Sequence, residues 1–171
     1  MKTSNLKITL VITLAMSLFS ALVVRAQETT SKSGQGQSDH AGHVMLTVGD
    51  LKWADGPPSL PAGAQFAVME GNPKNPGPFT MRLKFPDGYK IPAHWHPADE
   101  HVTVIAGTFN MGMGDKLELT KGKELPVGSF AVMPAQTNHF AYTKGETTIQ
   151  LHGIGPWGIN YVNPADDPRK K

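Results

Sequence analysis

Gly88-Tyr89-Lys90-Ile91-Pro92-Ala93-His94-Trp95-His96-Pro97-Ala98-Asp99-Glu100-His101-Val102-Thr103-Val104-Ile105-Ala106-Gly107 decides the reading of this chain. Three of its seven histidines fall within eight residues here. His94 and His96 stand at i and i+2. On a strand, alternate side chains share a face, so both imidazoles converge on one point. Pro97 turns the chain, and Glu100 opens a second apolar run, Val102 to Ile105. Two imidazoles and a carboxylate suit a borderline divalent metal. A fourth candidate ligand, His139, follows in Asn138-His139-Phe140-Ala141-Tyr142.

Glu100 and His101 compete for one ligand position. On a regular strand Glu100 shares a face with Val102 and Val104, and His101 shares the other with Thr103 and Ile105. Strand parity therefore favours Glu100, with His101 as the alternative. Farther on, Gln150 and His152 alternate on one strand face and are candidates to orient a ligand or bind a substrate. Tyr142, His101 and His152 are the nearby groups able to handle a proton. Trp53, Trp95, Phe140, Tyr142 and Trp157 are candidates to line a pocket. Trp95, between two ligands, should point away from the metal. No residue is singled out as catalytic.

The stretch resembles the first signature of the cupin superfamily. That pattern is Gly, five residues, His-x-His, three or four residues, Glu, six residues, Gly. Gly88, His94, His96, Glu100 and Gly107 fill every fixed position. The second signature is Gly, five residues, Pro-x-Gly, two residues, His, three residues, Asn. Gly128, Pro134 and His139 match it, with Gln136 in place of Gly and Thr143 in place of Asn. The resemblance implies an all-β, RmlC-like, single-domain cupin jelly roll. It implies one divalent metal ion (Mn, Fe, Ni, Zn or Cu) held by His94, His96, Glu100 and His139. The short gap between the signatures is similar to that of compact bacterial cupins, and the closing segment to that of a group of exported ones. There is also a resemblance to ChrR-type cupin sensors, which act with a partner protein.

Composition agrees with the all-β reading. Short apolar runs alternate with turn signals such as Asn72-Pro73-Lys74-Asn75-Pro76-Gly77-Pro78 and Pro86-Asp87-Gly88. Expected strands are 44–48, 64–69, 79–85, 94–96, 101–105, 108–113, 129–133, 139–142, 147–152 and 160–162, with residues 116–124 as an exposed hairpin or loop. Zero cysteines exclude disulfides, thiolate ligands and a cysteine nucleophile. The folded part must therefore rest on its apolar core.

The 171 residues suit one domain, 44–171, after two leading segments. Lys2 and Lys7 precede an apolar run to Val24, and Val24-Arg25-Ala26 offers a cleavage site. Residues 1–26 thus read as a secretory signal peptide rather than a stable membrane anchor, and the protein as exported, periplasmic or secreted. Residues 27–43, rich in Ser, Gly, Gln and Thr, read as a disordered linker. Three of the 16 basic residues lie in 1–26 and none of the 14 acidic ones does, so cleavage turns a net +2 into an excess of one acid. That near-neutral balance argues against a nucleic-acid partner. The expected partner is a small-molecule ligand or substrate. Exposed barrel edges also allow a homodimer.

The functional expectation is a metal-binding cupin acting as an oxygenase-type enzyme on a small organic molecule. The alternative is a non-catalytic metal or small-ligand binding or sensing cupin. Three imidazoles and one carboxylate leave roughly two positions of an octahedral ion open for substrate, water or oxygen.

Overall fold

A computed structural model describes residues 43–171; the expected signal peptide, and all of the expected linker but His43, lie outside the described residues. Nine strands are present among the described residues: β1 (Ala54–Asp55), β2 (Gln65–Glu70), β3 (Gly77–Phe85), β4 (Lys90–Trp95), β5 (Glu100–Met113), β6 (Lys123–Pro126), β7 (Phe130–Met133), β8 (His139–Gly155) and β9 (Asn160–Tyr161). They form one curled antiparallel sheet in the order β1-β2-β3-β8-β4-β9. The long β5 also lies against β8 and pairs with β6 and β7. No helix among the described residues is long and apolar enough to cross a membrane.

Alternation places the core. In β3, Phe79, Met81, Leu83 and Phe85 are buried, and the residues between them are half-buried. Such a period-2 pattern turns one sheet face inward. In β5 the buried set starts as Glu100, Val102 and Val104 and continues as Phe109 and Met111. The switch from even to odd positions occurs where the β5–β8 register shifts around Ala106. Gly107 makes that irregularity feasible. Its φ is +75°, and a Cβ there would sit 2.3 Å from the Glu146 carbonyl oxygen. Only glycine tolerates both conditions.

The turn-rich sequence suggested shorter strands than the structure contains. The expected strands 101–105 and 108–113 are one strand bent at Gly107, and 139–142 and 147–152 are one strand passing through Gly145. Both glycines adopt positive φ, and β5–β8 pairing resumes on either side of the register shift there. The expected strand 44–48 does not form. Val44, Met45 and Val48 are exposed, and residues 48–50 make a single 3-10 turn tied by Asp50 to Thr47. An apolar run without a partner strand has no ladder to join. The two-residue β1 and the four-residue β6 were not expected as strands; β6 falls at the end of the predicted loop.

The two departures from the second signature have structural accounts. Gln136, in place of glycine, adopts φ +61°, and its N–H donates to the His96 carbonyl at 2.8 Å. Thr143, in place of asparagine, is buried. Its hydroxyl accepts from the Tyr89 N–H at 2.9 Å and donates to the Pro86 carbonyl at 2.8 Å, clamping the turn before β4. Thr143→Val keeps the shape and removes both bonds. It is expected to destabilise the fold by about 1–3 kcal/mol, read as a lowered Tm with an unchanged circular dichroism spectrum.

Candidate metal centre

β4 and β8 bring the histidines together. Register runs from Ile91 opposite Ala141 to His94 opposite His139, so β4 advances three residues while β8 advances two. Pro92 sits in this bulge, where a residue without an N–H does least harm to the ladder. The bulge sets His94 directly across from His139. His96 follows two residues later, just past the strand end, and Glu100 opens β5.

All four side chains are buried: His94, His96, His139 and Glu100 are between 1% and 6% exposed. Ring centroids lie 4.9 Å apart for His94–His96, 4.2 Å for His94–His139 and 5.2 Å for His96–His139. One ring nitrogen from each of the three histidines falls within 4.8 Å of the others, a spacing that could hold a metal ion. The Glu100 carboxylate lies beside the same nitrogens, with Oε1 3.5 Å from His96 Nε2 and Oε2 3.3 Å from His139 Nε2.

Hydrogen bonding fixes which nitrogen faces inward. The Nδ1 atoms of His94, His96 and His139 lie 2.7, 2.7 and 2.9 Å from the carbonyl oxygens of Pro92, Gly158 and Thr137. A carbonyl only accepts, so each Nδ1 carries the proton and donates. In the neutral ring Nε2 then presents a lone pair. The Nε2 atoms of His96 and His139 are buried and make no hydrogen bond. Lone pairs aimed at a carboxylate 3.3–3.5 Å away repel unless a proton or a metal cation stands between them. The donor set therefore fits a divalent ion, with outer carbonyls orienting the rings as metal-binding histidines require.

The electrostatics follow from burial and this packing. Burial lowers the His94 pKa to about 3, with His139 and His96 adding to the effect. Burial also lowers His96, against the pull of Glu100. Burial alone would raise Glu100, but His96 and His139 outweigh it and hold the carboxyl at about 2. For His139 the adjacent carboxylate outweighs burial and raises its pKa. Metal-free, His139 therefore keeps its proton to a higher pH than a free imidazole does. Its contribution to stability is present below pH 6.5 and lost as pH rises through its folded value. Binding of Mn(II) near neutral pH is expected to release protons from His139, and fewer as pH rises. Calorimetry in buffers of different ionisation enthalpy reads this directly.

The cluster lines a cavity of about 650 Å³. The walls are apolar, with Met81, Leu83, Phe85, Ile91, Phe109 and Ile149 among them. Asp55, Ser59, Asn72, Lys74 and Arg169 add polar and charged groups to the lining. Of the aromatic pocket candidates, Trp157 lines the cavity, while Trp53, Trp95, Phe140 and Tyr142 do not.

The remaining site candidates lie elsewhere. His101 points to the opposite face of β5 from Glu100 and stacks on His152, with centroids 4.9 Å apart at 22°. Gln150, on that same outer face, accepts from Arg82 Nε at 3.3 Å. Tyr142 is buried under the 114–122 loop and donates to the Leu119 carbonyl. None of the four lines the cavity, which corrects the expectation that they stand beside the ligands. Sequence reasoning missed the orienting carbonyls of Pro92, Thr137 and Gly158. A carbonyl leaves no mark on residue identity, so only the folded chain reveals them.

A curled antiparallel sheet with inward His94, His96, Glu100 and His139 defines a cupin. A family model described as the ChrR cupin-like domain matches residues 41–157, and the chain belongs to that family. No curated protein matches it. Among solved structures, the polyketide cyclase RemF from Streptomyces resistomycificus is similar, with 12% identity, 74% of this chain and 89% of that chain covered, and a TM-score of 0.57. A proposed acetylacetone dioxygenase from Methylibium petroleiphilum PM1 gives 16% identity, coverage of 74% and 85%, and a TM-score of 0.56. An RmlC-like cupin from Shewanella frigidimarina gives 15%, coverage of 66% and 90%, and a TM-score of 0.52. At these identities the likeness is one of fold.

Proposed function

We propose that this cupin binds one divalent metal ion through His94, His96, Glu100 and His139 and acts on a small organic molecule seated in the adjoining cavity. The observation that carries the reading is the set of three carbonyl-oriented imidazoles whose inward nitrogens converge beside a buried carboxylate. The bound ion would supply Lewis acidity, or oxygen chemistry if it is redox-active. The chain's own residues do the rest. The imidazoles and Glu100 hold the ion, the apolar walls exclude water and seat the molecule's carbon body, and Trp157 forms part of that wall.

Among the described residues, the titratable side chains that line the cavity are the cluster itself and three further groups. Asp55, Lys74 and Arg169 are the other titratable groups that line it. Chemistry here, if the protein is an enzyme, rests on the ion and on the His139–Glu100 pair. An oxygenase-type oxidoreductase is the class this arrangement suits best. The mostly apolar walls also suit a second reading, a non-catalytic module that captures a small ligand or the metal. Export to the periplasm or beyond belongs to the proposal too, on the strength of residues 1–26.

The test is elemental analysis of the mature protein, followed by oxygen uptake with a panel of small diketones and phenols. Oxygen loss that depends on the added compound supports the enzyme. Saturable binding of one compound without oxygen loss supports the binding module. A protein that takes up no Mn, Fe, Ni, Zn or Cu after reconstitution overturns both.

A further inference from the structure

We infer that the segment Pro156–Val162 is a working part of the metal centre, with Trp157 as the positioning residue for His96; this rests on the metal-site reading above. The three imidazoles are not held alike. His94 and His139 each find their Nδ1 partner two residues back, at Pro92 and Thr137. His96 finds its partner at Gly158, 62 residues away. Its ring also lies flat on the Trp157 indole, with centroids 4.3 Å apart and planes at 19°. The His96 backbone carbonyl is fixed by Gln136, but its ring is held from outside its own strand.

The segment is tied down on several sides. The Trp157 backbone N–H donates to the Pro73 carbonyl at 2.6 Å, and the Val162 backbone N–H to the Ala93 carbonyl at 2.9 Å. The Tyr161 hydroxyl donates to the Ser59 carbonyl at 2.8 Å. Asn160 and Tyr161 pair with Trp95 and His94 as β9. Trp157, Gly158 and Ile159 also form part of the cavity wall. One segment therefore touches whatever fills the cavity and also sets the orientation of one ligand. All of it beyond Trp157 lies past the family match. A molecule that packs against this wall shares a rigid element with His96, which couples occupancy of the cavity to affinity for the ion.

The experiment measures Co(II) affinity by chelator competition, together with the visible spectrum of the bound ion. It compares the wild-type chain, Trp157→Ala, Trp157→Phe and, as a control, Trp53→Phe. Outer contacts that orient a ligand are worth about 10–100-fold in metal affinity. Trp157→Ala is expected to weaken Co(II) binding by about that factor and to change the spectrum. Trp157→Phe, which keeps a flat ring against His96, should restore affinity to within roughly threefold of wild type. Wild-type affinity and spectrum in Trp157→Ala overturn the inference and leave the metal reading standing. No Co(II) binding by the wild type overturns both. If Trp157→Ala does not fold, hydrogen exchange on the wild type decides. Co(II) should slow the Trp157 and Val162 amides several-fold, and unchanged exchange there overturns the inference.

Discussion

His96→Ala is expected to abolish stoichiometric binding of a divalent ion while leaving a β-rich circular dichroism spectrum. The imidazole stands past the end of β4, so its loss breaks no ladder bond. Its backbone carbonyl still accepts from Gln136. What disappears is one of three converging lone pairs and half of the seat for Glu100, whose Oε1 lies 3.5 Å from His96 Nε2. The metal-free protein loses a buried ring stacked on Trp157, a cost of about 1–3 kcal/mol for a cavity of this size. Metal content by elemental analysis and thermal melting with and without Zn(II) separate the two effects. Wild-type metal content in the variant would remove His96 from the site.

The second large effect contrasts Glu100→Gln with His101→Gln. Glu100 is buried and ionised, held at a pKa of about 2 by His96 and His139 despite the burial that opposes it. Replacing it by the neutral amide removes a full charge beside the converging nitrogens. The amide NH2 can also donate to the very nitrogens the ion needs. Metal affinity should fall by about a hundredfold or more, beyond the 10–100-fold typical of an outer contact. Glu100 Oε1 and Oε2 face His96 and His139 separately, so in the metal-free variant the amide NH2 meets one of the two unpartnered Nε2 atoms and its oxygen faces the other. His101 lies on the outer face against His152, so His101→Gln should leave affinity within roughly twofold. Isothermal titration with Mn(II) measures both. The reverse ranking would show that the two residues had been assigned to the wrong faces of β5.

The parity of β5 was legible because the strand is regular from Glu100 to Val104, and a period of two needs only local sequence. The same parity argument stops at Gly107. The irregularity there turns Phe109 and Met111 inward, and nothing in residues 108–111 announces it. The spacing from Gly88 to Gly107 announced the histidine cluster because each fixed position answers a local demand. Gly88 and Gly107 adopt positive φ, and the alternating histidines point to one face. Gln150 and His152 misled because alternation gives a shared face but not which face. Their strand turns Ile149 and Leu151 to the core and leaves both polar side chains outside.

The sequence by itself determined the all-β class, the inward position of Glu100 and the gathering of histidines toward one point. These follow from strand period and turn chemistry, which act over a few residues. Tertiary structure alone decided the rest. It put His94 across from His139 through the bulge at Pro92, clamped the turn before β4 with Thr143, and joined four expected strands into two. It also brought Trp157 and Gly158 onto the His96 ring from across the fold. The physical reason is that a hydrogen bond to a distant carbonyl and the packing of two rings depend on where the chain returns, and strand period says nothing about that.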